Sequence, residues 1–164
     1  MIQDNHPWIG APYVSATCLV ASNCRVKNMI TGGCLCKEVR YESKAEPIIT
    51  RICWCRVCQY LGAGSGTVNV CFPTPSFTVY GTTRVYRSVA DSGNVMRRRF
   101  CTACGTQLFS EAEARPHLIF VRAGTLDDPE TAKPAMTIWT SQAPTWACID
   151  DKTPKVDRQP PPAA

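Results

Sequence analysis

The chain has 164 residues, 45% of them hydrophobic and 19% charged, with a formal net charge of +5. That length holds one domain with a sizeable core, and the composition excludes a disordered or fibrous chain. The charge is too small to mark a nucleic-acid binder, and no apolar run approaches the length that spans a bilayer.

Eleven cysteines are the informative number. The count is odd and the spacings are tight, C-x-C and C-x-x-C, which suit one metal ion better than pairs of disulfides. Free thiolates imply a reducing compartment, so a cytoplasmic location is expected. A secretory signal is not expected, because Met1 to Trp8 has no Lys or Arg and the weakly apolar stretch from Ala11 to Ala21 is broken by Pro12, Ser15 and Thr17.

Residues 1–28 show no period and read as a disordered or mis-started extension, with Cys18 and Cys24 as bystanders. Order begins at Gly32-Gly33-Cys34-Leu35-Cys36, where the glycines allow two nearby sulfurs to converge. Lys37 to Ser43 alternates like a strand, and Pro47 to Ile52 reads as a second one running into Cys53-Trp54-Cys55-Arg56-Val57-Cys58. One helical turn is expected after Cys58. The next short β-rich runs are Thr67 to Phe72, Phe77 to Tyr80, Arg84 to Val89 and Val95 to Phe100, with proline, glycine and Asp91-Ser92-Gly93-Asn94 turns between them. Beyond Cys101-Thr102-Ala103-Cys104-Gly105 come Gln107 to Ser110, His117 to Arg122 and, last, Pro134 to Trp139. From Thr153 onward proline and charge predict a disordered tail. The expected fold is therefore all-β, occupying residues 29–152, with no repeat and no long amphipathic helix.

Thiolates bind zinc strongly, and a structural tetrahedral site takes four protein donors. Cys53, Cys55 and Cys58 supply three. Cys101 and Cys104 form a knuckle that needs two more, and Cys34 with Cys36 is the natural pair. Joining them closes a loop of about 65 residues, which removes much unfolded-state entropy. This partition leaves the trio with a vacant position, where a metal can bind and activate a solute. Two other partitions stay open at this point. Cys71 or Cys148 could complete the trio, or the trio could hold no metal and be redox-active; each of those two cysteines also reads as a small buried hydrophobe.

These motifs resemble the glutathione-dependent formaldehyde-activating enzyme family, which is related to centromere protein V. The resemblance runs from Ile30 to about Asp151 and rests on the three cysteine motifs, on Gly124-Thr125-Leu126-Asp127-Asp128-Pro129, and on Ile138-Trp139 with Ala143-Pro144. It implies a β-tent fold of packed antiparallel sheets and two zinc ions. One would be structural on Cys34, Cys36, Cys101 and Cys104, the other catalytic on Cys53, Cys55 and Cys58. It also implies a carbon–sulfur lyase that makes or breaks an S-hydroxymethyl adduct between a glutathione-like thiol and a small aldehyde such as formaldehyde. Two departures stand out: Trp54 replaces a histidine common in the family's C-H-C cluster, and Lys37 stands where a glycine is common.

Glutathione carries two carboxylates, so cationic side chains should line its approach. Arg56, inside the cluster, is the candidate nearest the trio. Arg97-Arg98-Arg99 would alternate faces on a strand and reads as a solvated surface. His117 is a conceivable general base at a strand start, expected at the surface. The competing function is a non-catalytic, zinc-stapled module that uses the basic run to contact an acidic partner. Basic density outside Arg97 to Arg99 is low, which argues against that module, against nucleic acid in particular.

Overall fold

A computed structural model describes residues 29–161. The expected N-terminal extension lies outside the described residues. Eleven strands and one helix follow in order: β1 (Ile30–Gly33), β2 (Arg40–Ser43), β3 (Ile49–Cys53), α1 (Arg56–Leu61), β4 (Thr67–Pro73), β5 (Phe77–Tyr80), β6 (Thr83–Val89), β7 (Val95–Cys101), β8 (Gln107–Ala112), β9 (Leu118–Arg122), β10 (Met136–Ile138) and β11 (Lys155–Val156). They make a three-stranded sheet, β1-β2-β5, and an eight-stranded sheet, β11-β10-β3-β4-β9-β8-β7-β6.

The alternation read from the sequence decides which face each strand buries. Val39, just before β2, and Tyr41, Phe77 and Val79 of the small sheet pack on Val70, Phe72, Phe109, Ile119 and Val121 of the large one. The Tyr41 ring stacks on Phe77 with centroids 5.1 Å apart and meets Phe109 edge-on at 5.6 Å. Aromatic pairs in these geometries contribute about 0.5–1.5 kcal/mol each beyond area burial. A loop after β9 locks the two sheets together. Thr125 Oγ1 hydrogen-bonds Tyr41 Oη at 2.8 Å, Asp127 N–H donates to Thr31 O at 3.0 Å, and Asp127 forms an ion pair with Arg40. Gly32 is required at this junction, because a Cβ there would lie 2.2 Å from Tyr41 Oη and 2.3 Å from Thr125 O.

The all-β expectation holds, with antiparallel pairing throughout except at one edge. There β10 runs parallel to both β3 and β11. That edge also corrects the reading of the tail. Residues from Thr153 to Pro161 are not loose where the structure describes them: Thr137 N–H donates to Pro154 O (2.8 Å), and Ser141 Oγ donates to Asp157 O (2.6 Å). Proline lacks a donor but keeps its carbonyl, so a proline-rich segment can dock through acceptors while looking disordered by composition. The folded unit therefore continues past residue 152.

Candidate metal centres and the cavity beside one of them

Two groups of cysteines converge, and they are the four and the three expected from ligand counting. The sulfurs of Cys34, Cys36, Cys101 and Cys104 lie within 4.8 Å of one another, as do those of Cys53, Cys55 and Cys58. Cys71 is buried in β4 and Cys148 is exposed; neither joins a group.

Two matching turns build the four-cysteine site. In the first, Cys34 N–H donates to Val39 O, Lys37 N–H donates to Cys34 O, and Lys37 takes a left-handed φ of 67°. In the second, Gly105 N–H donates to Cys101 O and Gly105 has φ 71°. The left-handed residue after each second cysteine bends the chain so that both sulfurs face one point. The two turns are then tied to each other. Leu35 N–H donates to Thr106 Oγ1 at 3.2 Å, and that hydroxyl lies 3.1 Å from Cys104 Sγ. The Thr106 hydroxyl and backbone hold the Cys104 thiol down to about 5. Burial opposes ionisation of Cys34, but the Val39 N–H on its sulfur (3.2 Å) brings its pKa below the usual thiol value. The set matches a closed tetrathiolate zinc site in donor number and type.

The three-cysteine group sits where β3 ends and α1 begins. Cys53 is the last residue of β3, Cys55 immediately precedes the helix, and Cys58 lies in its first turn. A six-residue helix is not stable alone, and the surroundings hold this one. Asp91 Oδ2 and Gln142 Oε1 accept the Arg56 N–H at 3.1 and 3.0 Å. Gln59, buried in α1, donates to Trp54 O at 2.6 Å and Gln142 O at 2.9 Å, and Thr67 Oγ1 donates to Cys58 O at 2.6 Å. Three thiols this close cannot all ionise without a cation among them. Hydrogen bonds to Cys55 and Cys58, with burial, push Cys53 far above the usual thiol range, while donation from Cys53 and Cys55 holds Cys58 down to about 3. A dication resolves that conflict by stabilising all three as thiolates. Three thiolates suit zinc, and no fourth His, Cys, Asp or Glu among the described residues joins them.

This trio opens onto a cavity of about 130 Å³. Its floor is one face of the large sheet, the face opposite the core. Arg51 is registered with Asn69, and Asn69 with Arg122; Arg98 is registered with Ser110. All five side chains line the cavity. Asp91, in the β6–β7 turn, is the sole acid on the wall, and burial followed by the charge of Cys55 raises its carboxyl above the usual range. On the far side stands Trp139, held at a left-handed φ of 61°, with its indole N–H donating to Gln159 Oε1 at 3.2 Å.

Several expectations are revised by this geometry. The Arg56 guanidinium lies over the Tyr60 ring and donates to Gln59, outside the cavity wall. The arginine run is not uniformly solvated: Arg97 is exposed, Arg99 pairs with Glu111, and Arg98 is 5% exposed and faces the cavity. Trp54 does not form the cavity wall; its ring lies against Gly66, where an added Cβ would come within 2.8 Å. His117 is exposed, as expected. Asp91, Arg122, Ser110 and Gln159 were not singled out from the sequence. Only their positions in the fold bring them to the cysteines.

A mostly antiparallel β-sheet domain with two convergent cysteine groups that could each hold a metal ion, one of them beside a cationic cavity, defines the class. More particularly, the chain belongs to the glutathione-dependent formaldehyde-activating enzyme family, whose model matches residues 29–142. A solved structure of a Rhodobacter sphaeroides protein is 20% identical, with a TM-score of 0.47 over 59% of this chain and 87% of its own. No curated protein matches the chain.

Proposed function

We propose that the protein is a zinc-dependent carbon–sulfur lyase that forms or cleaves an S-hydroxymethyl adduct between a glutathione-like thiol and a small aldehyde such as formaldehyde. The observation that carries this reading is the asymmetry of the two cysteine groups: four sulfurs in one, three facing a cavity in the other. Cys34, Cys36, Cys101 and Cys104 would hold a structural zinc, and Cys53, Cys55 and Cys58 a catalytic one. What a zinc ion supplies in the three-sulfur site, when bound, is a cationic open position that holds an incoming thiol as thiolate.

The remaining work falls to the chain itself. Gln59, Gln142 and Thr67 fix the backbone that presents the three sulfurs. Arg122, buried beside them, offsets the negative charge of a trithiolate site. Asp91 is the one wall carboxylate that can exchange a proton with the adduct hydroxyl as the carbon–sulfur bond forms or breaks. The cavity wall holds thiol and aldehyde together, so the reaction gains from proximity.

The test combines metal content with turnover. NMR exchange between formaldehyde and glutathione should be accelerated by wild-type protein carrying two zinc ions. In Cys55→Ser one zinc and the acceleration should both vanish. Acceleration that survived in Cys55→Ser would rule the trio out as the reaction centre.

A further inference from the structure

The cavity floor carries two guanidinium groups that lack a carboxylate partner. Arg98 is 5% and Arg122 9% exposed, and neither forms an ion pair with any described residue. Their partners are neutral. Arg98 donates to the Ser88 hydroxyl, and Arg122 donates to Asn69 Oδ1 and to Ser110 Oγ, the latter at 2.5 Å. Arg122 Nε is buried with no acceptor at all, and Arg51 Nε on the same floor is in the same condition. Buried charges are normally paired, because desolvation is expensive unless an anion repays it. Three thiolates around a dication carry one net negative charge and can balance one guanidinium. Against Arg51, Arg98, Arg115 and Arg122 the wall sets one acid, Asp91. The cavity is therefore short of negative charge, even though Asp91 is close enough to Arg98 to feel its charge.

We propose that Arg98 and Arg122 form a carboxylate-binding subsite, and that Arg98 selects thiol substrates bearing a carboxylate over neutral thiols. Guanidinium N–H pairs match a planar carboxylate in geometry, and a partly desolvated contact of this kind is stronger than a surface one. The strand register supports the assignment. Arg98 is opposite Ser110 and Asn69 is opposite Arg122, so the guanidiniums and their hydroxyl and amide partners form a connected polar floor across β7, β8, β9 and β4. Arg97 and Arg99, one residue either side, cannot take this role because they point to the other face.

The assignment of Arg98 to thiol selection rests on the lyase reading; the subsite itself does not, and the experiment separates them. Glutarate, which has no thiol, serves as the probe, titrated into the full-length zinc-loaded protein by NMR. Saturable binding of glutarate is expected, with at least tenfold weaker binding of the neutral glutaramide and of inorganic phosphate. Arg98→Gln should weaken glutarate at least tenfold, and Arg98→Lys should recover part of it, with zinc content unchanged in both. If the variants do not fold, the wild-type comparison of glutarate with glutaramide still decides. Equal binding of the diacid and the diamide, tighter binding of phosphate, or no saturable glutarate binding would each overturn the subsite. Loss of glutarate affinity in Arg98→Gln, in a protein that never accelerates thiol–aldehyde exchange, would keep the subsite and remove the lyase reading. Where exchange is observed, Arg98→Gln should raise KM for glutathione at least tenfold and leave KM for 2-mercaptoethanol unchanged. An equal rise for both thiols would overturn the selection role.

Discussion

The two cysteine groups use the same side chain in opposite surroundings. The four-sulfur site is bounded by its own turns: Val39 N–H on Cys34, Thr106 beside Cys104, Leu35 N–H on Thr106. Its hydrogen bonds point back into the two knuckles, and none of its four cysteines lines the cavity. The three-sulfur site is held from a distance by Thr67, Asp91 and Gln142, which come from three different parts of the chain. Hydrogen bonding confined to the two cysteine turns makes a cage; hydrogen bonding from elements outside the cluster leaves one side open. The contrast teaches that the open side of the trio is created by the elements around it as much as by the lack of a fourth cysteine.

The strongest way to break this contrast is Cys104→Ser. Apparent zinc binding in structural sites supplies about 10–16 kcal/mol, as large as the whole stability of a domain. The variant should be unfolded or insoluble by circular dichroism, whereas Cys55→Ser should remain folded with one zinc by metal analysis. Reversed outcomes would exchange the roles of the two sites. Asp91→Asn sharpens the comparison within the open site. It should keep both zinc ions and lower kcat about 10²-fold or more, the range for losing a proton-transfer group; an unchanged kcat would confine Asp91 to capping α1. The smallest effect is expected at Lys37→Gly. Lys37 is left-handed at φ 67°, a conformation that costs a non-glycine residue about 1 kcal/mol or more. The glycine variant should melt a few degrees higher with unchanged activity, since the change touches the cage and not the open site.

Legibility followed the range of the interaction concerned. The strand runs from Lys37 to Arg122 were readable because alternation and turn residues act within a few positions, although the last run shrank to Met136–Ile138 and β1 was not read as a strand. The partition of seven sulfurs into four and three was readable because coordination number is a property of the ligands. Arg98 shows where this stops. Alternation implies that it faces away from Arg97 and Arg99, but which face meets the cavity depends on the packing of the small sheet against the other side of β4, β8 and β9. Asp91 looked like turn punctuation and is also a helix cap and a cavity wall. The tail looked disordered because β11 has two residues and is held largely through carbonyls.

By itself, then, the sequence determined the β-rich composition of the fold, the seven metal-capable thiols and their tight local turns, all set by spacing and backbone conformation. The tertiary structure alone decided that the trio opens on an arginine-lined cavity, that Asp91 and Gln142 reach α1, and that the proline-rich end closes the sheet edge through β11. Those features depend on residues far apart in the chain meeting across a twisted sheet, and no local pattern of side chains encodes which face they will share.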